Sequence, residues 1–342
     1  MRKDTLHLKA PGNWINDPNG FIYYRGEYHL FYQHFPYAPR WGTMHWGHAV
    51  SRDLAHWEHL GVALYPTKSY DQNGVFSGSA LELDGKLCLY YSAVRYLKQD
   101  EEDIHIPPDD SFVTSQAMVI SDDGRTFDNM GAKRQIIPVL ADESIGDPKD
   151  TRDPKVWEQD GLYYMILGST FRKEQGKALF YRSRDGVHWD YVNQYASPEF
   201  RTMLECPDLF RLGEEFVLLG SPMGVTEPEI EYAHHAMWGL ADFDHQTCTL
   251  ALKGPMEFVD YGLDLYAPQT TLDSEGRRVL IAWMRMPQAA ADPGDGRGPW
   301  NGMMSLPRVM ELRQGKICFV PHPNVEALFH PVEGNWDQAI RQ

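Results

Sequence analysis

The chain has 342 residues and a formal net charge of −16, with 42% hydrophobic, 23% charged and 13% aromatic residues. That hydrophobic fraction excludes a disordered chain, and the length accommodates one large all-β domain or two ordinary ones. An acidic surface repels phosphate backbones and anionic headgroups, so nucleic acid and membranes are not expected partners.

The first residues, Met1-Arg2-Lys3-Asp4-Thr5-Leu6-His7, lack the apolar core of a signal peptide, and no apolar run approaches a membrane span. The expected location is the cytoplasm, or outside the cell if a signal peptide has been removed. Cys88, Cys206, Cys248 and Cys318 form no CxxC pair, so free, mostly buried thiols are expected rather than a zinc site or a disulfide framework.

Trp14-Ile15-Asn16-Asp17-Pro18-Asn19-Gly20 comes first along the chain, and on its own its Asn, Asp, Pro and Gly read as a turn. Short runs of Val, Ile, Leu, Tyr and Phe then recur, broken every few residues by Gly, Asp or Pro, and no long stretch keeps a helical period. The reading is all-β.

Five of these runs share one form, an apolar strand, a tight Gly-containing turn and a second apolar strand. They are Phe21 to Tyr32 around Arg25-Gly26, Ala80 to Tyr91 around Asp84-Gly85, Lys155 to Leu167 around Asp160-Gly161, Asp208 to Leu219 around Gly213, and Thr270 to Trp283 around Glu275-Gly276. Asp-Gly and its relatives supply the positive φ of a two-residue hairpin turn. The turn glycines are spaced by 59, 76, 52 and 63 residues, enough for one four-stranded sheet per interval. A second echo follows three of the hairpins, in Ser51-Arg52-Asp53, Ser121-Asp122-Asp123-Gly124 and Ser183-Arg184-Asp185-Gly186. Units of this length mark a β-propeller, and the spacing predicts five blades around a central funnel-shaped site.

Counting back eight or nine residues from each turn glycine reaches Asp17, Ser77, Asp153, Glu205 and Ala267. If the hairpins are equivalent, all five lie at one end of the innermost strands, and three carboxylates converge on one pocket. Asp153, in Thr151-Arg152-Asp153-Pro154-Lys155, has a cation on either side, so it is expected to stay ionised. Glu205, in Leu204-Glu205-Cys206-Pro207, has weakly polar neighbours, so desolvation is expected to raise its pKa and suit it to general acid chemistry. For any single carboxylate, capping of backbone N–H groups is the commoner role; three in one phase of a repeat argue against it.

Trp14-Ile15-Asn16-Asp17-Pro18-Asn19-Gly20, Arg152-Asp153-Pro154 and Glu205-Cys206-Pro207-Asp208 resemble the three signature motifs of glycoside hydrolase family 32, the invertases, fructanases and sucrose-6-phosphate hydrolases. The likeness extends through Gln33, Trp41 to His48, Phe76-Ser77-Gly78-Ser79, Tyr266-Ala267-Pro268-Gln269, Trp283-Met284 and Ser305 to Arg308. The resemblance implies a five-bladed propeller and a retaining β-fructofuranosidase acting at the non-reducing end of sucrose or short fructo-oligosaccharides. It implies Asp17 as nucleophile, Glu205 as acid/base, and Asp153 as transition-state stabiliser. Retaining enzymes hold the two working carboxyls ~5–5.5 Å apart, which is the separation expected for Asp17 and Glu205. The resemblance further implies sugar contacts from Asn16, Gln33, Trp41, Phe76, Ser77, Arg152, Tyr266 and Trp283, and also from Gln269. It implies no cofactor and a small-molecule carbohydrate as partner, with monomer and homo-oligomer both open.

The pairs His45/His48 and His56/His59 invite a metal reading, but Gly47 and the strand-like surroundings lack the helical face of His-x-x-x-His zinc motifs, so packing or hydrogen bonding is expected. Family members usually continue into a C-terminal β-sandwich. Here the expected organisation is a propeller over residues 1–320 and a tail over 321–342, without that module. The acidic stretch Lys98 to Asp110 reads as a solvated inter-blade loop; if it rims the site instead, it disfavours a phosphorylated sugar. Fructosyl transfer, sucrose 6-phosphate hydrolysis, an arabinanase-like hydrolase and a non-enzymatic sugar-binding propeller are the alternatives.

Overall fold

A computed structural model describes residues 6–224 and 235–330 of the chain. Its strands form five antiparallel sheets arranged as blades. Blade 1 comprises Asn13–Tyr24, Glu27–Phe35, His45–Ser51 and Glu58–Leu64, and blade 2 comprises Gly74–Leu83, Lys86–Tyr96, Phe112–Ser121 and Arg134–Ile137. Blade 3 comprises Arg152–Gln159, Leu162–Phe171, Gln175–Ser183 and Asp190–Ala196, and blade 4 comprises Leu204–Leu212, Glu215–Pro222, Met237–Asp244 and Thr249–Leu252. Blade 5 is built on Leu265–Leu272, Arg278–Met284, Arg308–Arg313 and Lys316–Pro321. The five-bladed propeller expected from the hairpin repeat is the fold.

The first strand of each blade is innermost, and the predicted hairpin connects it to the second. In blades 1 to 3 both central turn residues have positive φ, at Arg25-Gly26, Asp84-Gly85 and Asp160-Gly161. That geometry matches the right-handed twist of the strands it joins. In blade 4 a glycine, Gly213, takes the first central position with φ 62°.

The second strands read as continuous apolar runs because both faces of each blade are covered. In Leu87-Cys88-Leu89-Tyr90-Tyr91, the odd-numbered residues pack with Tyr24, Phe31 and Trp46 of blade 1. Cys88 and Tyr90 pack with Met165, Leu167 and Leu179 of blade 3. The same alternation fills the remaining blade interfaces.

The ring closes through the N-terminal segment. Asn13 and Trp14 pair in parallel with Trp300 and Asn301, and the Met304 N–H donates to the Leu8 carbonyl at 2.8 Å. After the last strand ends at Pro321, a short helix spans Pro323–Glu326. No helix among the described residues is long and apolar enough to cross a membrane.

Candidate active site

Each inner strand breaks its pairing with the second strand near its start, and that of blade 1 does so again between Asn19 and Ile22. The register shifts fall between Ile15 and Pro18, between Phe76 and Gly78, opposite Ile166 and Gly168 in blade 3, between Glu205 and Asp208, and between Tyr266 and Gln269. In four blades a proline marks the spot, at 18, 154, 207 and 268, and a residue without an N–H cannot complete the ladder. Asp153, Cys206 and Ala267, each just before its proline, have positive φ of 67°, 48° and 49°. These bulges turn consecutive side chains into the axis instead of alternating them across the sheet.

Two rings result. Asp17, Ser77, Asp153, Cys206 and Ala267 form the lower one; Asn16, Phe76, Arg152, Glu205 and Tyr266, each one residue earlier, form the upper one. The expected phase is thus corrected in blade 4. Cys206, and not Glu205, is the equivalent of Asp17 and Asp153, and Glu205 belongs to the ring above.

The lower ring is knitted by hydrogen bonds to carboxylates. Ser77 Oγ donates to Asp17 Oδ2 at 2.6 Å and Asn16 Nδ2 to Asp17 Oδ1 at 3.0 Å. The Cys206 thiol lies between the two Asp residues, with Sγ 3.4 Å from Asp17 Oδ2 and 3.6 Å from Asp153 Oδ2. The Cys206 N–H donates to Asp153 Oδ2 at 2.9 Å. In the upper ring, Arg152 donates to Glu205 Oε1 at 2.7 Å and to Asp150 Oδ1 at 2.7 Å, and the Tyr266 hydroxyl donates to Glu205 Oε2.

These contacts overturn the expected electrostatics. Of the two cations that flank Asp153 in sequence, Arg152 pairs with Glu205 and Lys155 turns away to Asp208, 2.9 Å distant. Burial raises the Asp153 carboxyl to about 7, against the lowering effect of Arg152 and with the help of the Glu205 and Asp17 charges. Burial also raises Asp17, opposed by the bonds from Ser77, Asn16 and Cys206. Glu205 does not sit among weakly polar neighbours, since a guanidinium and a phenol hold its carboxylate. The Cys206 thiol is pushed well above its usual range by burial and by the surrounding carboxylates, so it stays a neutral donor.

Above the carboxylates lies a pocket of about 290 Å³, lined by Trp14, Asn16, Asp17, Gln33, Trp41, Phe76, Ser77, Asp110, Phe112, Arg152, Asp153, Glu205, Tyr266 and Trp283. Eleven of the twelve residues expected as catalytic or substrate-binding therefore line one pocket. Two aromatic groups face it: Trp283 meets Trp14 and Tyr266 edge-on at 5.7 and 6.4 Å, and Phe76 meets Trp41 and Phe112 at 5.8 and 5.9 Å. Gln269 does not join them. Its amide accepts from the Phe21 N–H and donates to the Gly78 carbonyl, tying blade 5 to blades 1 and 2.

Over residues 7–323 the chain matches the N-terminal domain of the glycosyl hydrolases of family 32. It belongs to this family. Among curated relatives, a raffinose invertase of Escherichia coli is 37% identical over 326 residues, covering 94% of this chain and 65% of that protein. A sucrose-6-phosphate hydrolase of Zymomonas mobilis is 36% identical, with 94% and 62% covered. Among solved structures, the Bombyx mori GH32 β-fructofuranosidase superposes with a TM-score of 0.80 at 33% identity, covering 96% of this chain and 67% of that one. The chain thus spans somewhat under two thirds of the length of these two curated relatives.

Trp14, Asp110 and Phe112 complete the family 32 pocket without having been expected there. Trp14 belongs to the first motif and was legible from it. Asp110 ends the acidic insertion and Phe112 opens the strand that follows it, so the insertion is not merely a solvated loop. Arg40 bonds Asp103 at 2.6 Å, His105 meets Thr43 Oγ1 at 3.0 Å, and the Tyr96 hydroxyl donates to the His105 carbonyl at 2.9 Å.

The histidine pairs are engaged elsewhere. His45 meets the Thr43 carbonyl, His48 meets His29 at 3.0 Å, His56 meets Asp53, and His59 meets the Tyr32 hydroxyl. Wider grooves, of about 540 and 490 Å³, lie on the outer edges of blades 3 and 1. Of their carboxylates, Asp185 and Asp53 are occupied by backbone N–H groups of the Ser-x-Asp turns, and Glu27 pairs with Arg52 and Arg125.

Proposed function

We propose that the protein is a retaining β-fructofuranosidase that releases fructose from the non-reducing end of sucrose and short fructo-oligosaccharides. The observation that carries this reading is the division of three carboxylates between two levels. Asp17 lies on the floor, held by Ser77 and Asn16, and lines the pocket. Glu205 lies on the wall, its side chain 20% exposed, where it can exchange protons with a leaving group and then with water. Asp153 completes the floor.

In the first step an Asp17 oxygen bonds to the anomeric C2 as the C2–O glycosidic bond breaks, and Glu205 gives its proton to the departing oxygen. The carboxylate left on Glu205 is the form that Arg152 and Tyr266 hold. Water then attacks C2, Glu205 takes its proton, the Asp17–C2 ester bond breaks, and fructose leaves. Asp153 hydrogen-bonds fructose hydroxyls, while the aromatic groups on either side pack against the ring faces. The scheme requires Asp17 and Glu205 at ~5–5.5 Å.

Support from relatives is of two kinds. The names invertase and β-fructofuranosidase favour sucrose, while the sucrose-6-phosphate hydrolases favour the phosphorylated sugar as a second reading. A panel of sucrose, sucrose 6-phosphate, 1-kestose, inulin and levan, with products separated by chromatography, tests both. Fructose release from sucrose is the expected result, and Asp17→Asn should lower it by at least about 10³-fold. Ordinary turnover by that variant would exclude Asp17 as the nucleophile.

A further inference from the structure

The rim of the pocket carries an ion pair that joins two blades. Asp110 ends the insertion that precedes the third strand of blade 2, and its partner, Lys149, precedes the inner strand of blade 3. Asp109 and Asp110 both have positive φ, 55° and 51°. Two left-handed residues in succession reverse the chain sharply, a conformation that Asp tolerates better than most. Lys149 is fixed from several sides. Its N–H donates to Asp147 Oδ1 at 2.8 Å, its carbonyl accepts from Thr114 Oγ1 at 2.9 Å, and its ammonium lies 4.9 Å from the centre of the Phe112 ring. Only 17% of the Lys149 side chain is exposed, against 70% for Asp110.

We infer that Asp110 masks Lys149 and thereby sets the enzyme's preference for an unphosphorylated leaving sugar. This inference rests on the fructoside reading above. With fructose on the floor at Asp17, the leaving sugar occupies the mouth, where Asp110, Trp41 and Phe112 stand. Arg152, the one cation that lines the pocket among the described residues, is already paired with Glu205 and Asp150, so a phosphate dianion on the leaving sugar meets no free positive charge there. Lys149, a further cation beside the mouth, is already neutralised by Asp110. Without that carboxylate, an ammonium beside the Phe112 ring is free to pair with the phosphate. A single residue of the insertion therefore decides between repulsion and attraction.

The test compares kcat/KM for sucrose 6-phosphate with that for sucrose, in the wild type and in four variants. Asp110→Asn should raise the ratio about tenfold, mainly through a lower KM for the phosphorylated sugar, and 0.5 M NaCl should reduce the gain. Asp110→Glu should keep the wild-type ratio. Lys149→Met should not raise the ratio, and Asp110→Asn combined with Lys149→Met should lose the gain. A ratio within twofold of wild type for Asp110→Asn, or a gain that survives in the double variant, overturns the inference. If no protein releases fructose from either sugar, the fructoside reading fails, and calorimetric titration with glucose 6-phosphate and glucose then decides the masking. Asp110→Asn must bind glucose 6-phosphate about tenfold more tightly than wild type with glucose unchanged, and equal binding overturns it.

Discussion

Asp153 shows how burial can outweigh a neighbouring cation. Its backbone N–H is taken by Ser92 Oγ at 2.8 Å and its Oδ2 by Cys206, yet the guanidinium next to it in sequence serves Glu205 instead. The folded protein therefore takes up a proton at Asp153 near pH 7, whereas the unfolded chain does so near pH ~4. Between these values the folded state binds more protons than the unfolded one, so stability declines as pH rises from ~4 through ~7 and stays lower above. Asp153→Asn removes that penalty. The variant should be more stable than wild type at pH 8, on the order of 2 kcal/mol, with the difference shrinking toward pH 4.5. Urea denaturation at the two pH values checks this, and a variant no more stable than wild type at pH 8 contradicts the raised pKa. The same variant should lose fructose release, because the destabilising carboxylate is the one proposed to hold the sugar.

The three carboxylates were legible from their motifs, but their electrostatics were not. Sequence neighbours predict local charge, whereas Arg152 reaches 53 positions along the chain to Glu205. The offset that puts Glu205 one ring above Asp153 was likewise hidden from counting, because Gly213 takes the first position of its turn where Gly161 takes the second, so the same eight-residue count lands one residue earlier along the strand.

At the level of elements, hairpin turns and apolar runs located every blade. What they could not locate are the polar ties between blades, of which the most buried is Lys133 with Asp71. Both side chains are 0% exposed, at 2.8 Å, and Lys133 immediately precedes the fourth strand of blade 2. Asp71 Oδ1 accepts the N–H groups of Thr67 and Lys68, and Oδ2 accepts the Tyr91 hydroxyl. This fastens the connection from blade 1 to blade 2, whose far end leads into the strand carrying Phe76 and Ser77. Lys133→Met leaves an unpaired buried carboxylate and should cost roughly 3–5 kcal/mol. Adding Asp71→Asn should recover part of the loss, because the amide oxygen still accepts from Thr67 and Lys68 while the charge is gone. Thermal unfolding of the single and double variants checks the order; a double variant less stable than Lys133→Met would show that the carboxylate's geometry, not its charge, matters.

The ring closes at a seam where the segment between the second and third strands of blade 5 meets the strand that begins blade 1. Gly302 lies on it with φ 89°, and a Cβ there would stand 2.0 Å from the Ile15 carbonyl oxygen and 3.0 Å from Trp283 Nε1. Ile15 immediately precedes Asn16 and Asp17, and Trp283 lines the pocket, so the seam and the site share their supports. Gly315 has a similar φ of 78° in the outermost hairpin of blade 5, but a Cβ there would meet nothing within 4 Å. The two glycines thus separate backbone strain from steric contact. Gly315→Ala should cost about 1 kcal/mol from the left-handed conformation alone. Gly302→Ala carries the same term and must also push the Ile15 backbone aside, for a total of roughly 2–4 kcal/mol and a Tm lower by roughly 3–6 °C. Because the displaced backbone leads directly into Asn16 and Asp17, Gly302→Ala should also lower kcat for fructose release, whereas Gly315→Ala should leave it unchanged. Equal stability losses in the two variants, or full activity in Gly302→Ala, would mean that the seam holds the ring without positioning the site.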